Sequence, residues 1–149
     1  MKESDLWARL RAMPWGFIQR SEPGLTNAGV PDVLIAHGGV VRFVENKIAT
    51  VGSDGIVRSR SEIRPTQVRW HTMFQRGSTN SFFMIGINGR GEYLLSGKHA
   101  KSLKHHFIEF AMLRKIESFD ISSMVQLFDD VAKDNGHEFL GRSENTTSL

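Results

Sequence analysis

One segment limits the fold more than any other. Residues 32–48 read DVLIAH, then Gly38-Gly39, then VVRFVENKI: two apolar, β-branched runs around a glycine pair. Such runs favour strands, and a two-glycine connection supplies the positive φ angles of a tight hairpin turn. If Gly38 and Gly39 form the turn, His37 faces Val40 and every cross-strand pair sums to 77. Asp32 and Glu45 are such a pair, so the reading puts their Cβ atoms about 4.5–5.5 Å apart on one face. Lys47, two residues beyond Glu45, shares that face because side chains alternate along a strand.

Two carboxylates set opposite one another stabilise nothing by themselves. At about 4 Å and an effective dielectric of about 20, they repel by about 4 kcal/mol. A shared proton, a neighbouring cation or a bound metal can offset that repulsion. Oxygen donors with no histidine or thiolate among them select Mg²⁺, with Mn²⁺ able to substitute. The plainer alternative is that Lys47 neutralises one of the two acids.

The surrounding chain reads as mixed α/β. Leu6, Trp7, Leu10 and Met13 recur at helical spacing, and Pro14 ends the run. Trp15 to Arg20 reads as a strand, followed by the turn-rich SEPGLTNAG. Pro65 opens a helix through Gln67, Trp70, Phe74 and Gln75, closed by Gly77. SFFMIGI and EYLLS flank NGRG as two more strands, the first apolar enough to lie centrally in a sheet. A basic helix is expected within 98–113, with Leu103, Phe107 and Phe110 on one face. In the last helix Met124, Leu127, Phe128 and Val131 line one side, and Ser123 with Gln126 forms a capping box. The expected architecture is one α/β domain over 1–140, a central mixed sheet of about five strands flanked by helices, and a polar tail over 141–149.

The 149-residue chain contains no cysteine, which excludes disulfides and thiolate metal sites. Its start, MKESDLWARL, lacks the apolar core of a signal peptide. No apolar run approaches the roughly 20 residues of a membrane span, so no membrane partner and a cytoplasmic location are expected. The net charge of +3 is unevenly spread. Residues 58–76 hold five arginines against one glutamate, and residues 98–115 hold five Lys or Arg against one glutamate, a net +4 in each. Two basic stretches in an otherwise acidic chain suggest a polyanion surface, or, more plainly, two solvated charged faces. His99, His105 and His106 lie in the second stretch, but no further ligand cluster completes a tetrahedral zinc site.

GVPD at 29–32 followed by ENK at 45–47 resembles the PD-(D/E)xK signature of the restriction-endonuclease-like nuclease superfamily. RPTQVRWH at 64–71 also resembles the glutamine-bearing helix of VRR-type nucleases and of phage and archaeal Holliday-junction resolvases. The resemblance spans residues 3–87 and implies a restriction-endonuclease-like core that hydrolyses DNA phosphodiester bonds with Mg²⁺, on structured DNA such as junctions. It implies that Asp32 and Glu45 hold the metal with the backbone carbonyl of Asn46. Lys47 would orient or deprotonate the attacking water, and Gln67 would orient Lys47 or that water, unless it is simply an exposed helix residue. Glu3, on the inward side of the first helix, would reach the metal through water, with Asp5 as a substitute. Arg60, Arg64, Arg69, His71, Lys98, Lys101 and Lys104 are the candidate DNA contacts. Symmetric cutting of branched DNA would call for a homodimer; if phage-encoded, the chain would act in the host cytoplasm. One departure is Asn46, where the family usually has an apolar residue. The alternatives are a catalytically silent nucleic-acid-binding module on the same fold and a structural protein that binds neither metal nor DNA.

Overall fold

The computed structural model describes residues 1–21 and 29–134, so most of the turn-rich stretch after Arg20 and the polar tail lie outside the described residues. Seven strands form one mixed sheet between two helical layers. The strands are β1 (Phe17–Arg20), β2 (Val33–His37), β3 (Val40–Val51), β4 (Val57–Ser59), β5 (Ser81–Ile87), β6 (Gly91–Ser96) and β7 (Arg114–Lys115). The helices are α1 (Glu3–Arg11), α2 (Pro65–Phe74), α3 (Ala100–Lys104) and α4 (Ile121–Lys133). The sheet order is β1-β2-β3-β5-β6-β7, with β4 paired to β3 off this path. Two strands beyond the expected five are the short β4 and β7, too brief to leave a periodic signal.

The hairpin forms in the expected register from Val33 to Val44, but β2 begins at Val33, so Asp32 stands one residue before the ladder and is not a strand partner of Glu45. His37 pairs with Val40 and Val33 with Val44, and Gly38 and Gly39 turn at φ 60° and 80°. The apolar β5 is central: it runs parallel to β3 on one side and antiparallel to β6 on the other. A parallel neighbour requires a crossover, and β4 with α2 supplies it.

Alternation along β3 splits the core into two layers. Val44 and Ile48 join Val33, Ile35, Phe82 and Met84 beneath α1 and α4. The opposite face carries Ala49, Phe83, Ile85 and Leu95, closed by Val68 of α2 and Leu103 of α3.

Three local expectations need correction. The basic helix of 98–113 is broken: α3 has one turn, His106 stands at φ 64°, and Phe107 is 72% exposed and does not pack beside Leu103. In α4 the cap is Asp120, whose carboxylate accepts from the Ser123 backbone N–H at 2.8 Å; Ser123 lies inside the helix. Trp15 belongs to the core, with its indole N–H donating to the Leu10 carbonyl, and β1 begins only at Phe17.

Candidate active site

The long strand β3 changes partners at its middle. Along one edge it pairs with β2 up to Val44, then with β4 from Ala49 onward. Between them, residues 45–48 face no strand on that edge, and Glu45, Asn46 and Lys47 occupy the gap. Backbone groups stranded there need other partners. The Asn46 N–H donates to the Asp32 carboxylate at 3.3 Å, and the Ile48 carbonyl accepts from the Arg60 N–H at 2.7 Å.

Glu45 lies at the centre. It is only 6% exposed, beside Asp32, Lys47 and Glu3. Burial above all, then the adjacent Asp32 carboxylate, pushes its carboxyl up to about 9, against a smaller opposing effect of Lys47. A proton held on Glu45 removes the repulsion that two ionised carboxylates would otherwise feel there.

Gln67 fixes one side of Glu45. The Arg64 backbone N–H can only donate, and Gln67 Oε1 accepts from it at 2.9 Å. That contact turns the amide nitrogen toward Glu45, whose Oε2 it meets at 3.2 Å. The other carboxylate oxygen, Oε1, is buried with no donor among the described residues. Gln67, 3% exposed, is therefore not a surface residue, and it holds Glu45; it does not orient Lys47.

Lys47 makes no ion pair with either acid, contrary to the simple neutralising role. It donates to the Ser61 hydroxyl at 3.5 Å and to the Glu62 carbonyl at 3.3 Å. Ser61 in turn donates to Glu3 Oε2 at 3.1 Å. Ser61 thus joins α1 to the ammonium of β3, a role sequence reasoning missed. The signal was slight: one serine among several in a polar connection.

Asp32, Glu45, Lys47, Gln67 and Glu3 therefore meet, while Asp5 caps its own helix by accepting from the Lys2 N–H at 2.7 Å. The DNA-contact candidates do not all share one fate. Arg60, Arg64, Arg69, Lys98 and Lys101 are exposed. Lys98 donates to the Asp134 carbonyl, and Lys104 to the Ile63 carbonyl at 2.6 Å with Glu62 alongside at 3.6 Å. His71 must be withdrawn as a contact. It is fully buried, packed on Phe83 and bonded to the Ser81 hydroxyl at 3.0 Å, and burial pushes its pKa down to about 4.

Asn46 is 1% exposed on the opposite face, and its side-chain oxygen has no donor among the described residues. That amide lies against the core, as its place in the strand alternation requires.

The donor set suits a hard divalent cation. It is all oxygen, it includes a buried carboxylate oxygen without a partner, and the repulsion between two facing acids would be relieved by positive charge. Among the described residues no three His, Cys, Asp or Glu side chains form a metal-binding group. No helix among these residues is long and apolar enough to cross a membrane. A scan against protein-family models finds no match, and a search of curated proteins finds no relative.

Proposed function

We propose that the chain is a Mg²⁺-dependent endonuclease of the restriction-endonuclease-like type, hydrolysing phosphodiester bonds of structured DNA. The observation that carries the reading is the Asp32–Glu45 pair beside Lys47, with Glu45 held by Gln67 on one oxygen and bare on the other.

Asp32 and Glu45, with the Asn46 backbone carbonyl, are the groups that would hold the cation. Such an ion, when bound, polarises the scissile phosphate and lowers the pKa of attacking water. The chain's own residues supply the remainder. Gln67 restrains the Glu45 carboxylate so that its free oxygen keeps one direction. Binding of a cation requires Glu45 to lose its proton, so affinity rises with pH. Lys47, fixed by Ser61 and the Glu62 carbonyl, is a positioned donor for a water or a phosphate oxygen at the mouth of the pocket. Glu3 faces the same mouth through Ser61. Arg60 and Arg64, exposed on the connection that supplies Ser61, would draw the phosphodiester backbone toward it.

The test is a panel of branched, single-stranded and duplex DNA incubated with Mg²⁺, Mn²⁺ or chelator. Metal-dependent products that vanish with Asp32→Ala or Glu45→Ala support the reading, and products that persist in both variants refute it.

One observation favours a second reading. Two carboxylates are a thin ligand set, so the site could be a silent one on a nucleic-acid-binding module. Salt-dependent DNA binding with no cleavage under any metal would select that reading.

A further inference from the structure

The sheet face that bears Glu45 and Lys47 is not fully covered. Helix α2 shields it over Phe43, through the rings of Trp70 and Phe74 at 5.1 and 5.3 Å. Beyond Phe43 the same face continues to Val41, across to Ala36 on β2, and across again to Phe17 on β1. Cross-strand partners share a face, and Ile18, the next residue of β1, packs into the opposite core layer. Phe17 is 52% exposed and Val41 46% exposed. An apolar strip therefore runs from the rim of the sheet toward the carboxylate pocket, with Val41 about 13 Å from Glu45 along β3.

We propose that this strip receives unpaired nucleobases of the DNA strand whose backbone enters the site. The inference rests on the nuclease reading and narrows its substrate to DNA with single-stranded or branched character. Two observations favour a nucleic acid over another occupant. Val41 lies on the same strand and the same face as Glu45 and Lys47, with Phe43 between them beneath Trp70 and Phe74. The helix beside it, PTQVRWHTMF, contains no acidic residue; Arg69 within it and Arg76 in the turn after it are both exposed. A cationic border beside a ring and aliphatic groups matches a strand with its phosphates on one side and its bases on the other. A paired duplex keeps its base faces stacked inside and has none to offer Phe17.

The experiment measures binding in chelator, where no cleavage occurs, using fluorescent single-stranded, forked and blunt-duplex DNA. The double variant Phe17→Ser with Val41→Ser is expected to lose about tenfold in affinity for single-stranded and forked DNA. Blunt-duplex affinity should change less than about twofold, and the salt dependence should be unaltered because no phosphate contact is removed. Phe17→Trp, which keeps a ring, should retain single-strand affinity. A 2-aminopurine in the unpaired arm should change its emission on binding wild type and not on binding the double variant. Equal losses on all three DNAs, or no loss on any, overturn the proposal. So does a wild-type dimer in sedimentation that the double variant converts to monomer, since a second copy would then occupy the strip. If wild type binds none of the DNAs, the nuclease reading fails as well. If wild type cuts with Mg²⁺ while the strip variant binds like wild type, this inference alone fails.

Discussion

Two buried polar groups lie beneath the same helix one turn apart, and they have opposite characters. At Gln67, α2 reaches Glu45 and leaves a carboxylate oxygen bare beside another acid. At His71, it reaches Ser81 in a closed space. Gln75 donates to the Ser81 hydroxyl at 2.9 Å, and His71 Nδ1 lies 3.0 Å from the same oxygen. A Cβ added at Gly97 would lie 2.1 Å from Ser81 Oγ and 2.5 Å from His71 Nδ1, so no room remains there. Glu45 instead has the half-buried Asp32 beside it and the exposed Ser61 close by, bonded to Lys47. Burial alone does not distinguish a site from a filler. What differs is the second acid and the ammonium group that stand beside Glu45, where His71 has only a hydroxyl and apolar rings.

Several experiments would sharpen or break that contrast. The largest effect is expected at the acids: Asp32→Ala or Glu45→Ala should bring Mg²⁺-dependent cleavage below detection. In chelator at about pH 9, where Glu45 starts to ionise beside Asp32, Glu45→Ala should melt at the same or a higher temperature, because like-charge repulsion has been removed. Tm by differential scanning calorimetry checks this, and a marked fall in Tm would mean that the pair is structural.

Ser61→Ala should lower cleavage about 10- to 100-fold, the range seen when a group orienting a site ligand is lost. Ser61→Thr should recover much of it. An unchanged rate in Ser61→Ala would show that Lys47 needs no such support.

Gly97→Ala should destabilise the fold by about 1–3 kcal/mol through overpacking at the His71–Ser81 contact. Metal affinity should not move. Urea titration and isothermal calorimetry separate the two effects, and a large loss of metal binding would erase the distinction between the pockets.

The pH dependence should have two slopes of opposite sign. Glu45 holds a proton in the fold that the unfolded chain releases near 4.5, so metal-free stability is complete below that pH and is lost as pH rises toward about 9. His71 resists a proton that the unfolded chain takes up near 6.5, so its contribution is complete above 6.5 and is lost as pH falls toward about 4. Unfolding measured from pH 4 to pH 9 should lose its alkaline slope in Glu45→Gln and keep its acid slope.

The smallest expected effect lies on the other face of the strand. Asn46→Leu removes a buried oxygen without a donor and should raise stability by about 1 kcal/mol or somewhat more. Cleavage should be unaffected, because residue 46 contributes only its backbone to the site.

The sequence was most legible where geometry is local. A two-glycine turn and alternating apolar residues sufficed to give the register of β2 and β3, since pairing in a hairpin follows from counting outward. Gln67 was legible as a member of the site but not in its role, because the contact with Glu45 crosses 22 residues of chain and depends on how α2 lies over the sheet. His71 was misplaced for a related reason. A histidine in a basic segment looks like a surface group until the helix rotation, set by packing on Phe83, turns it inward. The broken basic helix shows the limit of periodicity, since Leu103 and Phe107 have helical spacing but only the first finds a core to enter.

By itself the chain determined that Glu45 and Lys47 share one face of a hairpin strand with Asp32 close by, because strand periodicity and turn chemistry act over a few residues. Only the tertiary structure decided that β3 would exchange β2 for β4 beside those three residues, that α1 would bring Glu3 to Ser61, and that Glu45 would be buried nearly completely. Those outcomes depend on desolvation and on contacts between distant segments, and neither is encoded in the spacing of neighbours.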